Sequence, residues 1–136
     1  KLMNCHKIFI DHRYAEPRIL LCDRLNNRLV HTTLDGELIK VYATKLRKPS
    51  SAAFYKDLVA IAEIDGRISV FNKEGEMVAE VGTNNTKEIG KNTFGPETWE
   101  AGIVKAPHGI AFDAEGNILM TEYNKWGRVM KFKVQP

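Results

Sequence analysis

Short apolar runs separated by turn residues set the pattern of this chain. Ile19-Leu20-Leu21-Cys22 and Leu58-Val59-Ala60-Ile61-Ala62 are continuous apolar runs, of the length expected for strands inside a sheet. Arg67-Ile68-Ser69-Val70-Phe71 and Arg128-Val129-Met130-Lys131-Phe132 alternate with a period of two, which favours strand over helix. Asp35-Gly36 and Glu74-Gly75 supply the left-handed turn residues that a tight hairpin requires. No stretch carries convincing amphipathic-helix periodicity, so the pattern predicts an all-β chain.

The strands are organised by a repeat. Three units, approximately 5–43, 44–82 and 107–136, share one grammar: a short strand, a turn, an apolar strand ending in an acid, a short step to an Arg, and another strand. The acids are Asp23, Glu63 and Glu122, and the arginines are Arg28, Arg67 and Arg128. The arginines are spaced 39 and then 61 residues apart. Residues 83–106, rich in Asn, Gly, Thr and Lys, account for the longer step and read as an inserted loop. Repeats of about 40 residues with three or four antiparallel strands each are the signature of β-propeller blades. An all-β sandwich, the competing fold, would show even strands without the recurring Arg and Gly columns.

The repeat resembles the NHL-type family, in which Asn or Asp, then Gly or Asn, then Arg precede a β-branched strand. The likeness covers nearly all of the chain outside 83–106. About three blades are then present, whereas propellers have about four to eight. The expectation is the C-terminal half of a six-bladed ring, closed by remaining blades or by another chain.

Composition narrows the function classes. The chain has 136 residues, of which 43% are hydrophobic, 27% charged and 9% aromatic, as in one soluble globular domain; disorder and collagen-like sequence are excluded. Apolar runs of this kind fall far short of the about 20 residues of a membrane-spanning helix. A net charge of +3 without a basic block provides no nucleic-acid footprint. Cys5 and Cys22, with no C-x-x-C, make no disulfide scaffold or zinc ribbon; they read as two free, half-buried thiols. Asn84-Asn85-Thr86 is a glycosylation sequon, meaningful only in a secreted eukaryotic chain.

Histidine is the candidate chemistry. His6 and His108 share one column at the start of the first strand of their units, while the middle unit places Ser50 there. Histidines on alternate blades of a closed six-bladed ring would face one another around the axis. Three imidazoles with an open fourth position form a catalytic zinc arrangement. The third would come from a blade outside this chain. In the alternative, Pro107-His108-Gly109 is a turn whose imidazole bonds a backbone carbonyl. His12 reads as a loop residue and His31 as a surface strand residue. Arg24 follows the acid of the first unit, on the rim expected to carry His6, and could grip a substrate carboxylate in a two-pronged manner. Ile64 and Tyr123 occupy that column elsewhere, so the repeat does not demand an Arg. By contrast, Arg28, Arg67, Arg128 and the acid column recur in every unit, which marks them as structural.

Cys5-His6, Cys22-Asp23-Arg24-Leu25-Asn26-Asn27-Arg28-Leu29 and Ala106-Pro107-His108-Gly109-Ile110 together resemble the second half of the peptidyl-α-hydroxyglycine α-amidating lyase domain and its bacterial six-bladed relatives. The resemblance implies that His6 and His108 are zinc ligands and that Arg24 is the substrate-facing catalytic Arg. It implies cleavage of a peptidyl-α-hydroxyglycine to a peptide amide and glyoxylate, and a secreted or periplasmic setting. The family's catalytic Tyr and first His would lie upstream of Lys1, so the chain is expected to lack activity alone. Gly109 stands where the family carries the Asp of a calcium site and Ala106 where it carries a Met, so calcium is not expected.

A second reading is a non-catalytic NHL-type binding scaffold with 83–106 as its recognition loop. Phe94, Pro96 and Trp99 would be its apolar anchors, unless Trp99 only pins the loop to its blade.

Overall fold

The computed structural model describes residues 1–135. The strands form three antiparallel sheets. The first holds β1 (Cys5–Asp11), β2 (Arg18–Asp23), β3 (Arg28–Thr32) and β4 (Leu38–Ala43) in sequential order. The second holds β5 (Pro49–Tyr55), β6 (Leu58–Glu63), β7 (Arg67–Phe71) and β8 (Met77–Val81). The third holds β9 (Pro107–Phe112), β10 (Ile118–Glu122) and β11 (Val129–Phe132). Two single 3-10 turns, Arg24–Asn26 and Pro96–Thr98, are the only helical elements among the described residues.

The sheets stack face to face, with β5 lying against both β1 and β9. Between the first two sheets Leu20, Cys22 and Leu29 pack on Val59, Ile61 and Phe71. Between the second and third, Ala60, Ile68 and Val70 pack on Val104, Ile118 and Met120. The middle sheet is therefore covered on both faces, which is why β6 is a continuous apolar run rather than an alternating one. Fully burying a side chain such as Ile61 or Ile68 contributes about 1.5–3 kcal/mol. The outer sheets are covered on one face only, leaving Ile8, Ile10 and Leu38 exposed on the first and Val129 on the third. Where the first two sheets approach, Gly75 has φ +88° and no space for a Cβ against the Tyr42 carbonyl. Its turn admits no other residue without moving that backbone.

The acid and Arg columns form one device, repeated three times. In the first sheet Asp23 accepts from Arg28 Nε at 2.6 Å and from the Met3 N–H at 2.8 Å, while Arg28 donates to the Lys1 carbonyl at 3.2 Å. In the second, Glu63 accepts from Arg67 Nε at 3.0 Å and from the Arg47 N–H, and Arg67 donates to the Lys45 carbonyl at 3.2 Å. In the third, Glu122 accepts from Arg128 at 2.8 Å and from the Lys105 N–H at 2.5 Å, and Arg128 donates to the Ile103 carbonyl at 2.7 Å. Each clamp fastens the segment leading into the sheet's first strand. The recurrence is explained by this: a segment between sheets has backbone groups with no ladder partner, and these must be satisfied before they are buried.

One expectation is corrected. His31 is not a surface residue: it is fully buried, with Nε2 3.1 Å from Asp11 Oδ2, and its ring packs on Tyr14 and Tyr42. His31 stands opposite Leu20 of β2 and two residues from Leu29, so it lies on the face of β3 that packs on the second sheet. The sequon asparagine is buried as well. Asn84 is 1% exposed, donates to the Val104 carbonyl at 2.9 Å and accepts from the Thr86 N–H at 2.9 Å, so it holds the 83–106 loop to the fold.

Candidate functional site

The inner strands share an irregularity. In β5 two residues, 49 to 51, span one step of β6, which leaves Ser50 as the extra residue. In β9 the same happens between Pro107 and Gly109, leaving His108. In β1 the register shifts between Cys5 and Ile8, across His6 and Lys7. The column that carries His6, Ser50 and His108 is thus a column of β-bulges, and a bulge turns a side chain away from the regular pleat. Pro49 and Pro107 precede two of these bulges, at strand starts where a missing N–H costs no ladder bond.

The bulges bring two of the three together. His6 Nε2 and His108 Nε2 lie 3.0 Å apart, with ring centroids 5.1 Å apart and planes at 83°. The contact crosses from the first sheet to the third, over the position of Ser50. Ser50 is fully buried and turns its hydroxyl to the Lys48 carbonyl at 3.3 Å. Both imidazoles are held below the ordinary histidine pKa. For His6 the causes are burial, then the positive charges of Arg24 and Lys7; for His108 they are burial, then His6, Lys7 and Arg24. Neutral imidazoles keep a lone pair available, which a metal ligand requires.

Arg24 opens the 3-10 turn that follows Asp23. The turn is held by the Leu25 N–H, which donates to the Met3 carbonyl at 3.1 Å. Asp23 itself is occupied by Arg28, so it does not neutralise Arg24. Among the described residues Arg24 Nε is buried without a hydrogen-bond partner, an orphaned donor on a charged group. Glu122 is occupied in the same way by Arg128. The result is an electropositive rim around two neutral imidazoles.

The zinc expectation can be tested on this geometry. Two nitrogens on one tetrahedral zinc, at about 2.0–2.1 Å from it, lie roughly 3.3–3.4 Å apart. The observed 3.0 Å separation of the Nε2 atoms needs only a small opening. Among the described residues no group of three or more His, Cys, Asp or Glu is placed to hold a metal; the chain brings together two imidazoles and not a complete set. His12 is an exposed loop residue and His31 lies in the Asp11 network; neither joins the pair. Gly109 and Ala106 provide no carboxylate or thioether beside His108.

Two residues at the site were not singled out from the sequence. Lys7 follows His6 in the bulge and acts electrostatically on both imidazoles. Tyr123 occupies the Arg24 column on the third sheet, with its ring centroid 5.8 Å from that of His108. The signal for Tyr123 was the column itself, which was read only as showing that Arg24 is not a repeat residue. Cys5 is exposed and Cys22 buried; the two are not bonded. Burial pushes the Cys22 thiol up to about 12.

No family model matches the chain, and no curated protein sequence does. Solved structures do. A catalytically inactive His-to-Ala variant of virginiamycin B lyase from Staphylococcus aureus with quinupristin aligns over 97% of this chain and 42% of its own, at 17% identity and a TM-score of 0.54. The selenomethionine form of the same enzyme aligns over 88% and 38% of the two chains, at 18% identity and 0.49. A streptogramin B lyase aligns over 84% and 47%, at 17% and 0.44. The fold is a partial β-propeller. Its three sheets are blades, and the chain spans less than half the length of each of these structures. The inner strands β1, β5 and β9 of the propeller are the ones that carry the bulge column.

Proposed function

We propose that these blades belong to a zinc-dependent, six-bladed propeller lyase of the peptidyl-α-hydroxyglycine amidating type. The observation that carries the reading is the convergence of His6 and His108, from alternate blades, to a 3.0 Å Nε2 separation beside the unpaired Arg24. His6 and His108 would hold the zinc, with a further ligand from an alternate blade beyond this chain. Bound there, zinc supplies Lewis acidity that lowers the pKa of a substrate hydroxyl. Arg24 grips the substrate carboxylate with its planar fork and orients the α-carbon toward the imidazole pair. Lys7 adds a second positive charge at the same rim. The hydroxyl proton leaves to a base, the C–O bond becomes the aldehyde C=O of glyoxylate, the C–N bond breaks, and the amide nitrogen takes a proton. Support for histidine-dependent lyase chemistry on this fold comes from the virginiamycin B lyase variant, described as catalytically inactive with a histidine replaced by alanine.

The test uses the full-length protein. Zinc analysis is expected to find bound metal that is lost in His108→Ala, together with glyoxylate release from an α-hydroxyglycine-extended peptide. Zinc absent from the purified protein, or retained in a His6→Ala/His108→Ala double variant, overturns the metal assignment. A zinc-loaded protein that releases no glyoxylate overturns the reaction.

A cleft of about 390 Å³ favours a second reading, a binding scaffold. It lies between Asn27, Arg47, Lys48 and Asp65 on the blades and Asn85, Thr86 and Ile89 on the 83–106 loop. Trp99 is half-buried under the Arg128 guanidinium, 5.0 Å from ring centre to Cζ, so it pins the loop rather than standing free as an anchor. Deletion of the loop that leaves partner capture unchanged rejects this reading.

A further inference from the structure

We propose that Tyr123 forms an aromatic-recognition subsite beside the histidine pair, so that the site selects substrates with a planar aromatic group on the acyl side of the reacting carbon. The proposal rests on the lyase reading for the place of the substrate carboxylate, and it adds the class of substrate taken.

Tyr123 is positioned by the fold and not by packing. It follows Glu122, which Arg128 holds at 2.8 Å, and its own N–H donates to the Ala106 carbonyl at 2.7 Å. The backbone on both sides of the tyrosine is therefore fixed. The ring is tilted at 35° to that of His108 with centroids 5.8 Å apart, and the residue remains 48% exposed. The imidazole lies beside the ring, and about half of the residue's surface stays open to solvent. The open part of an aromatic ring beside a polar pair is a surface on which another ring stacks.

The column arithmetic places this face relative to the rest of the site. The residue after the buried acid is Arg24 on the first blade, Ile64 on the second and Tyr123 on the third. Ile64 is 2% exposed and contributes nothing to the opening. Arg24 follows the acid on the His6 blade and Tyr123 the acid on the His108 blade, so the imidazole pair has a guanidinium charge acting on it from the first blade and an aromatic ring beside it on the third. A carboxylate held by Arg24 directs the opposite end of the molecule, the acyl group on nitrogen, toward Tyr123.

Binding and turnover separate this proposal from the lyase reading. Full-length, zinc-loaded protein is titrated by calorimetry with hippurate and with N-acetylglycine, which share the carboxylate and differ in the acyl group. Hippurate is expected to bind about 3- to 10-fold more tightly. The preference is expected to persist in Tyr123→Phe and to vanish in Tyr123→Ala. Equal binding of the two probes, binding of neither, or a preference that survives Tyr123→Ala overturns the proposal. Glyoxylate release from α-hydroxyhippurate is measured in parallel. A preference without glyoxylate leaves the subsite standing and rejects the lyase reading, whereas glyoxylate without a preference does the reverse.

Discussion

Replacing Arg67 by Met tests whether the repeated acid–Arg clamp holds the blades together. Glu63 is fully buried, and the variant strips it of donors at 3.0 and 2.9 Å, leaving the Arg47 N–H as its remaining partner. The Lys45 carbonyl between the first and second blades loses its donor as well. Removing one partner of a buried ion pair costs about 3–5 kcal/mol, because the surviving charge is left in a poorly solvating interior. The second contact of Arg67, to Glu80 at 2.7 Å, involves a half-exposed carboxylate and adds at most about 1 kcal/mol. Against a total stability of about 5–15 kcal/mol this is a large fraction. With a urea slope of about 1–3 kcal/mol per molar, the midpoint of unfolding followed by circular dichroism should fall by about 1–5 M. The Glu63→Gln/Arg67→Met double variant removes the stranded charge and should recover more than half of the loss. A midpoint shift below about 0.3 M, or a double variant no more stable than the single one, refutes the reasoning. The cost should also rank by burial. Arg28, whose side chain is 27% exposed where that of Arg67 is 9% exposed, should cost clearly less when changed to Met.

Four further outcomes follow from the same structure. A thiol reagent should modify Cys5 in the folded protein and reach Cys22 only on unfolding, since Cys22 is buried and its thiol is pushed up to about 12; equal labelling rates would contradict the packing. In metal-free protein His6 and His108 should titrate below the ordinary histidine range by NMR, because burial and then neighbouring positive charge disfavour the imidazolium. The unfolded chain then binds more protons than the folded one just below about pH 6.5, so stability should fall as pH drops through that window and less so in a His6→Ala/His108→Ala variant. Asp11 opposes burial with hydrogen bonds from Arg13 and His31 that hold its carboxyl well below the usual range; its contribution should be complete above about pH 4 and lost as pH falls further, and Asp11→Asn should flatten that acid limb of the urea midpoint. Asn84→Ala should free the 83–106 loop, read as faster proteolysis within it, with a loss of about 1–3 kcal/mol for the orphaned Val104 carbonyl.

Strand content and repeat units were legible because blades are local objects. Each strand pairs with the next in the chain, so apolar runs, turn glycines and the acid–Arg columns all fall within about 40 residues of one another. The structural role of Arg28, Arg67 and Arg128 was legible for the same reason, although the clamp to the preceding segment was not. His31 was misplaced because its burial comes from the Tyr14 loop and the neighbouring blade, contacts that a lone His in the local sequence does not record.

The sequence by itself determined the all-β architecture, the three-unit count and the column that sets His6, Ser50 and His108 in register. Only the tertiary structure decided what that column does. Stacking of the blades brings residues 102 apart in sequence to 3.0 Å, because bulges at equivalent positions of stacked inner strands turn their side chains toward a common line. The same stacking sequesters Asp23 and Glu122 in their clamps, leaves Arg24 without a partner and sets Tyr123 against His108. Charge balance and openness at a site are properties of the neighbours that surround it, and a linear repeat specifies its own unit more strongly than it specifies what the adjoining units place beside it.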